Sequence, residues 1–203
     1  MPWSEVRNRM QQHSDTPGVV FDEDGTARPR WAVTHPLLQH YFDTEWGQPV
    51  HDERGLFERL SLEGFQAGLS WLTILKKRPA FRAAFADFVP DIVAGFDDHD
   101  VDALMTNTDI VRNRQKIQAV IGNAKATLDL RQHGGLANLI WSYEPDSDSV
   151  LDSDGNPPTQ SPESVALAKH LKKLGFRFVG PTIVFAMFEA IGVVDTFPYK
   201  RTL

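Results

Sequence analysis

Residues 56–71, which are apolar around almost the whole circumference of a helix, constrain the fold of this chain most strongly. Helical spacing divides them into two sets: Leu56, Leu60, Glu63 and Ala67 on one side, and Phe57, Leu62, Phe65 and Leu69 over much of the rest. A helix that is apolar nearly all round is a buried helix. Glu63 is therefore predicted to lie inside the protein, where an ionised carboxylate is costly unless a partner compensates it.

Two glycines, Gly64 and Gly68, lie four residues apart within this stretch. Glycine lowers the stability of a helix, so two within five residues require a reason. Their spacing removes side chains from one line along the helix and allows another backbone or a ligand to approach. Two interpretations stay open from these residues alone: a core helix with a salt-bridged Glu63, and a helix that carries a functional carboxylate.

Helical periodicity recurs along the chain without any alternating strand pattern, so the predicted fold class is all-α. The helix after Ile110 is the clearest, with apolar Ile117, Ile121, Ala124 and Leu128, and with Arg112, Arg114, Lys116 and Lys125 around its polar side. The buried pattern that continues from Trp71 is expected to end at the charged residues 76–78. Pro79 is then expected to open the next helix.

The composition along the chain predicts two regions. Residues 1–29 are polar and contain several turn signals, which predicts a loosely held N-terminal arm with a short helix near residues 3–12. Residues 30–203 are expected to form a single helical domain. Within that domain, residues 144–162 are rich in Asp, Ser, Gly and Pro, which predicts an exposed, mobile loop.

Composition also excludes several classes of protein. The chain has 203 residues and no cysteine, which excludes disulfides and thiolate metal sites. A net charge of −6 argues against a protein that coats nucleic acid non-specifically, but it permits a local basic face. No apolar run reaches the length of a membrane span, so no membrane partner is expected. We expect a cytoplasmic monomer.

Aromatic residues are dense between positions 31 and 47, where Trp31, Tyr41, Phe42 and Trp46 occur. Such a group is typical of a hydrophobic lid or of a pocket that stacks a planar ligand. The alternative is that these rings are ordinary core residues, and the sequence of this segment alone leaves both interpretations open.

A helix, a glycine-containing turn and a second helix are predicted between residues 171 and 190. Such a turn directs backbone N–H groups and a helix N-terminus outward, which suits a DNA phosphate. The basic residues Lys172, Lys173 and Arg177 flank the turn, and Arg112 and Arg114 are candidates for a second phosphate contact. A solvated basic face without a partner is the alternative interpretation.

Four segments occur in fixed order: YFDTEWG at 41–47, LEGFQAGLSW at 62–71, IVRNRQKIQA at 110–119 and GFRFVG at 175–180. Together they closely resemble the DNA-3-methyladenine glycosylase I family of helix-hairpin-helix base-excision enzymes, from about residue 31 to residue 195. The resemblance implies two helical lobes with a base pocket between them. It also implies DNA-binding roles for Gly68 and Gly180, and aromatic pocket walls at Trp31, Tyr41, Trp46 and Trp71.

The implied activity is monofunctional hydrolysis of the N-glycosidic bond of 3-methyladenine in alkylated double-stranded DNA. A base inside a duplex must be flipped out before it can be cut from its sugar. Leu69, beside Gly68, is the candidate wedge for the vacated space, with a plain core residue as the alternative. Stacked rings attract the cationic base. Glu63 is the candidate catalytic carboxylate that accepts hydrogen bonds from it, and no cofactor is expected.

Members of this family commonly carry a zinc site of two cysteines and two histidines near the chain ends. Alignment outward from Trp46 places those ligands at Pro29 and Phe42, and near Phe197 and Arg201. None of these residues is a zinc ligand, so we predict a protein without metal. Packing of Phe42 against Phe197 is expected to replace the zinc site.

Asp195 is a second departure from the family pattern, after the missing zinc ligands. Related helix-hairpin-helix glycosylases of other families place a catalytic Asp shortly after the hairpin, whereas this family usually lacks it. Asp195 is therefore a candidate for stabilising an oxocarbenium-like sugar, although a C-terminal cap or a surface acid is the favoured interpretation. Two rival functions stay open. One is a helix-hairpin-helix protein that binds damaged DNA without cutting it, and the other is a glycosylase for a different alkylated base.

Overall fold

The computed structural model describes residues 18–23, 25–146 and 158–197. The fold is helical, as predicted, and no helix in these ranges combines the length and the apolarity needed to cross a bilayer. The α-helices in chain order are α1 Pro36–Thr44, α2 Glu53–Gln66, α3 Trp71–Ala84, α4 Pro90–Val93, α5 Asp98–Thr106, α6 Arg114–Leu130, α7 Gly135–Trp141, α8 Pro162–Lys173 and α9 Pro181–Ala190. Short 3-10 turns lie at Ala32–Thr34, Ala86–Phe88 and Arg131–His133.

The described part of the N-terminal segment contains a β-hairpin that the sequence did not predict. Strand β1 Val19–Phe21 pairs antiparallel with β2 Ala27–Pro29. Strands of three residues are too short to display an alternating pattern, so periodicity does not detect them. Tertiary contacts hold the hairpin, because Ala27 packs beside Phe42 and Arg28 donates hydrogen bonds to Asp43 at 2.7 and 3.0 Å. The helix predicted near residues 3–12 lies outside the described residues.

Helix α2 is buried around most of its surface, as its sequence predicts. Leu56, Phe57, Leu62 and Phe65 are fully buried, and the helix packs against α3, α6, α7 and α9. Each of these side chains contributes roughly 1.5–3 kcal/mol on burial. Asp52 caps the N-terminus by accepting a hydrogen bond from the Gly55 N–H at 2.8 Å. Burial on all sides fixes the depth at which the middle of α2, including Glu63, lies in the protein.

Helix α3 is longer than predicted, because it runs through Pro79 instead of ending before it. The charges at 76–78, which resembled a helix end, have tertiary partners instead. Arg78 binds Glu45, and the Lys77 ammonium donates to the backbone carbonyls of residues 108 and 109. Phe81 beyond the proline is fully buried. Packing on both sides of Pro79 therefore maintains the helix despite the lost backbone hydrogen bond.

The predicted helix, turn and helix near the C-terminus are present as α8, residues 174–180 and α9, which we call the hairpin. Ser161 begins α8 with a capping box that it forms with Ser164. The hairpin turn is fixed to α6 by Asn123, whose side chain donates to the Arg177 carbonyl at 3.0 Å and accepts from the Arg177 N–H at 2.8 Å. The middle of the loop predicted at 144–162, residues 147–157, lies outside the described ranges.

Candidate functional site

A cavity of about 540 Å³ lies between α1, α2, the start of α3 and α9. This volume is within the range of small-molecule sites. All five predicted pocket residues line it: Trp31, Tyr41, Trp46, Glu63 and Trp71. The sequence did not single out the other lining residues, which are Thr34, Leu38, Gln66, Ser70, Leu72, Ala186, Glu189 and Ala190. The structure therefore brings together residues that are up to 159 positions apart in the chain.

The aromatic residues of the cavity contact one another in a continuous wall. The ring centroids of Trp31 and Trp46 are 6.0 Å apart, and those of Tyr41 and Trp71 are 5.5 Å apart. Trp31 is 37% exposed and lies at the edge of the wall, whereas Tyr41 is buried. The indole nitrogen of Trp71 is buried and has no hydrogen-bond partner among the described residues. The wall thus offers π-faces to a planar ligand.

Glu63 reaches this cavity from α2 and is only 5% exposed. Burial, and then the nearby Glu189, raise the pKa of Glu63 to about 8, while Arg59 acts in the opposite direction. No described residue donates a hydrogen bond to its carboxylate. The salt-bridge interpretation of Glu63 is therefore not supported, since the Arg59 guanidinium donates to Glu45 at 2.9 Å. The Glu63 carboxylate keeps its hydrogen-bonding capacity for a ligand.

Glu45, which the sequence reasoning missed, supports the cavity from behind. Its carboxylate accepts two hydrogen bonds from Arg78, both at 2.7 Å, and one from Arg59. Although burial opposes the effect, these two arginines hold the pKa of Glu45 below its ordinary value. Glu45 thereby ties the end of α1 to α2 and α3. This contact gives a structural reason for the glutamate within the segment YFDTEWG.

Glu189 is a second carboxylate in the cavity, and the sequence reasoning missed it as well. The Thr196 hydroxyl donates a hydrogen bond to Glu189 Oε1 at 2.6 Å. Burial raises the pKa of Glu189 to about 7, although the bond from Thr196 opposes the shift. A sequence signal was present, because Glu189 is the charged residue in the otherwise apolar helix PTIVFAMFEA. That is the same signal that marked Glu63 in α2.

Leu69 lies in a tight turn after α2 and is 40% exposed, so it is not a core residue. Gly68 has φ of +83°, a conformation that favours glycine, and this turn explains its position. The Lys116 ammonium donates to the carbonyls of Phe65 and Ala67, at 3.0 and 2.7 Å. The prediction that Lys116 lies on the polar side of α6 is therefore wrong, because these carbonyls bind its charge inside the protein.

Gly64 faces the hairpin turn. A methyl group added at Gly64 would lie 3.5 Å from Phe178 Cβ, in ordinary contact, so that only a small residue fits there. The close approach of another backbone, predicted from the glycine spacing, is thus observed at this glycine. Phe178 itself has φ of +52°, which is unusual for a residue with a side chain.

Basic residues lie on the exposed side of the hairpin, as the sequence predicts. Lys172, Lys173 and Arg177 are exposed, and Gly180 begins α9 without a side-chain cap. Uncapped N–H groups at a helix start are available to an anion. Arg112 is also exposed at the start of α6, and the neighbouring Arg114 is paired with Asp102 at 2.6 Å. The hydrogen bonds of Lys116 and Asn123 join these surfaces and the Leu69 turn through α6.

Asp195 lies after the end of α9 and does not line the cavity. Its Oδ1 accepts a hydrogen bond from the Phe197 N–H at 3.0 Å. This geometry is that of a local turn. A part in bond cleavage stays untested.

The residues at the family's zinc positions do not fit a metal. Phe42 and Phe197 pack edge to face with their ring centroids 5.4 Å apart, in a buried cluster with Ala27 and Ala32. Pro29 offers no ligand atom, and residue 201 lies outside the described ranges. Nowhere in those ranges do three or more His, Cys, Asp or Glu side chains gather as metal ligands would. The predicted contact between the two rings is confirmed.

An aromatic cavity with the buried Glu63 carboxylate, together with an exposed leucine and a basic hairpin, is typical of helical DNA glycosylases. Residues 31–198 match the family model described as methyladenine glycosylase, and the chain therefore belongs to that family.

Relatives are similar in sequence to most of the chain. The DNA-3-methyladenine glycosylase 1 of Escherichia coli strain K12 is 44% identical over 81% of this chain and 90% of its own length. The Haemophilus influenzae DNA-3-methyladenine glycosylase is 41% identical over 84% and 94%. A crystal structure of 3-methyladenine DNA glycosylase I superposes with a TM-score of 0.76, at 46% identity, over 81% of this chain and 92% of the other.

Proposed function

We propose that this protein hydrolyses the N-glycosidic bond of 3-methyladenine in alkylated double-stranded DNA. The observation that carries the proposal is the Glu63 carboxylate, which is buried in an aromatic cavity and to which no described residue donates a hydrogen bond. Family membership supports it, as do solved relatives that include a Tyr-to-Phe variant in complex with 3-methyladenine and a Glu-to-Gln variant. The residues changed in those two relatives are a tyrosine and a glutamate, the same residue types as Tyr41 and Glu63.

The cavity matches the electronic character of the proposed substrate. In a nucleotide, adenine methylated at N3 carries a positive charge, and aromatic faces attract such a cation. The Glu63 carboxylate accepts hydrogen bonds from the exocyclic amine and the ring edge, and this negative charge further favours the cationic base. Neutral adenine gains much less from both interactions. Discrimination therefore depends on the charge of the base as well as its shape.

Methylation has already made the base a good leaving group, so the protein needs little acid catalysis. In the mechanism that we propose, Glu63 and the rings hold the departing base while water attacks the sugar carbon. The base leaves with the electrons of the C–N bond, and the water loses a proton to solvent. No covalent bond to the protein forms.

Base flipping requires a wedge and a grip on the backbone, and we propose Leu69 and the hairpin for these roles. The exposed side chain of Leu69 would enter the space that the base vacates. The open start of α9 at Gly180 would bind one phosphate, with Lys172, Lys173 and Arg177 around it. Arg112 and Arg114 would bind a second phosphate. Because one chain supplies the whole cavity wall, we propose that a monomer suffices.

Incubation with methylated duplex DNA, followed by chromatography of the released bases, tests the proposal. We expect 3-methyladenine as the main product and no release of unmodified adenine. Release of a different methylated base would indicate a changed specificity. Binding to methylated DNA without any release would indicate a protein that senses damage, and would overturn the proposed activity.

A further inference from the structure

Two carboxyl groups from different helices enter the same cavity, Glu63 from α2 and Glu189 from α9. Two like charges in a buried site repel each other, so that one of them tends to stay protonated. The only described hydrogen bond to this pair comes from the Thr196 hydroxyl, which binds Glu189. The pair therefore lacks the donors that would stabilise two negative charges in an empty cavity.

The guanidinium groups near this pair form their hydrogen bonds with another carboxylate, and the buried Arg59 Nε has no described partner. Arg59 and Arg78 both donate to Glu45, behind the cavity wall. None of the described salt bridges includes Glu63 or Glu189. Among the described residues, the Tyr41 hydroxyl is another ionisable group close to the pair, and burial and the negative charge of Glu63 keep it neutral by raising its pKa. A ligand is thus the missing partner for a second negative charge.

We propose that Glu189 is a specificity-determining residue, that its carboxyl group and that of Glu63 together retain one proton in the empty cavity, and that a cationic base displaces this proton. The inference rests on the proposed function and deepens it, because it assigns the preference for a cation to two groups. The proton passes to solvent when the cation enters, and both carboxylates then face the bound base. A neutral purine does not stabilise the carboxylate that the loss of that proton leaves behind.

The electrostatics of the pair agree with this arrangement. Glu189 is, after burial, the main cause that raises the pKa of Glu63 to about 8. The pKa of Glu189 is itself raised to about 7. Both values lie close to neutral pH, where two interacting acids titrate as one coupled system. The affinity for a cation is therefore expected to rise as pH increases through this range.

The test compares wild type with Glu189→Gln, using 3,9-dimethyladeninium as the probe. This cation carries a methyl group where the sugar is attached, and its charge does not depend on pH in the range used. Calorimetry gives its affinity from pH 5 to 9. Without the neighbouring charge, Glu63 ionises more readily. The affinity of the variant should therefore level off about one pH unit lower than that of wild type.

Above pH 8 the wild type should bind the cation more tightly than the variant, the reverse of the order at lower pH. Wild type then offers two carboxylates, and the variant should bind the cation about tenfold more weakly. A residue with a merely structural role would lower affinity by the same factor at every pH, so parallel curves would overturn the inference. If the curves are parallel but wild type still releases 3-methyladenine from DNA, the proposed function stays intact and only this inference fails. Glu163→Gln, in the first turn of α8 and outside the cavity, is the matched control and should follow wild type.

Thr196→Val provides a second variant in case Glu189→Gln does not fold. Without the Thr196 hydroxyl, Glu189 keeps its proton to a higher pH, since that hydrogen bond favours the charged form. The affinity curve of this variant should reach its plateau at a higher pH than that of wild type. A curve identical to wild type would contradict the role given to Glu189.

Discussion

Glu63 shows how the environment of one residue decides its chemistry. The unfolded chain releases the proton of this carboxyl near its ordinary pKa of 4.5, whereas the folded protein holds it up to about pH 8. The folded state therefore binds more protons between these values, and its free energy of unfolding falls as pH rises through them. Binding of a cationic base reverses this penalty, because the charge that destabilises the empty protein stabilises the complex.

Substitution of Glu63 by Gln separates the two effects. We expect excision of 3-methyladenine to fall by at least about tenfold, since a charged hydrogen bond contributes roughly 1.5–3 kcal/mol. The variant should fold, and between pH 5 and 8 its melting temperature should fall less than that of wild type. Single-turnover excision and thermal unfolding at both pH values measure this. Excision at the native rate would remove Glu63 from the mechanism.

Substitution of Asp195 by Asn tests the alternative assigned to that residue. Because the Asn oxygen can still accept the Phe197 N–H and only the charge of this hydrogen bond outside the cavity is lost, we expect a loss of about 1 kcal/mol or less in stability. The single-turnover rate per folded molecule should stay unchanged. A rate reduced more than about tenfold, at unchanged affinity for the free base, would instead place Asp195 at the sugar.

The sequence identifies a candidate functional residue where that residue conflicts with its immediate surroundings. Glu63 was recognised because it is a carboxylate in an apolar helix, and Glu189 could have been recognised in the same way. The role of Lys116 could not be recognised in this way, because its acceptors are carbonyls about 50 positions earlier in the chain. Its partner is set by how α2 and α6 pack, which no local pattern contains.

At the scale of elements, the contact between α6 and the end of α2 positions the Leu69 turn. Lys116→Met removes the ammonium but keeps a long side chain, so it leaves two helix-end carbonyls without their donor. We expect a loss of about 1–3 kcal/mol in stability and slower excision from duplex DNA, with unchanged binding of free 3-methyladenine. Lys125→Met, on the exposed side of the same helix, is the control. Equal excision rates in the two variants would show that the turn does not depend on Lys116.

The hairpin carries the expected contact with the DNA backbone. Lys172→Ala combined with Lys173→Ala should weaken duplex binding and reduce its salt dependence by about two released counterions. Affinity for the free base should not change, since neither lysine lines the cavity. Binding measured by fluorescence anisotropy at several salt concentrations gives the slope. With Lys76→Ala on α3 as control, an unaltered slope in the double variant would place the DNA-binding face elsewhere.

Among the elements, the sequence predicted those whose own residues determine them. The amphipathic helix α6 and the hairpin both follow from local signals. Helix α3 was predicted too short, because Arg78 and Lys77 are held by partners from other parts of the chain. The β-hairpin was missed because its stability comes from packing against Phe42 and Phe197 rather than from its strands.

At the scale of the whole molecule, Phe42 packs against Phe197 at two positions where the family resemblance implies zinc ligands. We expect purified protein to contain no zinc and to keep its melting temperature in the presence of a chelator. Phe197→Ala should cost roughly 3–5 kcal/mol, the usual loss for a buried phenylalanine. Ile92→Ala, at an exposed position, is the control. Stoichiometric zinc in elemental analysis would contradict this prediction.

The segment after α1 and the end of α9 also meet, through a contact that tolerates no side chain. A Cβ atom at Gly192 would lie 2.8 Å from the Gly47 carbonyl oxygen, and Gly192 has φ of +75°. The Gly47 N–H donates to the Ala190 carbonyl at 3.0 Å. The segment after α1 is thereby held against the end of α9, which fixes the distance between the aromatic wall and Glu189.

The packed pair of Phe42 and Phe197 has a chemical consequence for a protein that works where methylating agents are present. Thiolates are strong nucleophiles and are the groups in proteins that such agents attack readily. A closure made of cysteine ligands exposes the fold itself to the reagents that damage DNA. Two phenyl rings offer no lone pair for methyl transfer, and the chain has no cysteine anywhere. The closure of this protein is therefore inert toward the agents whose lesions we propose it removes.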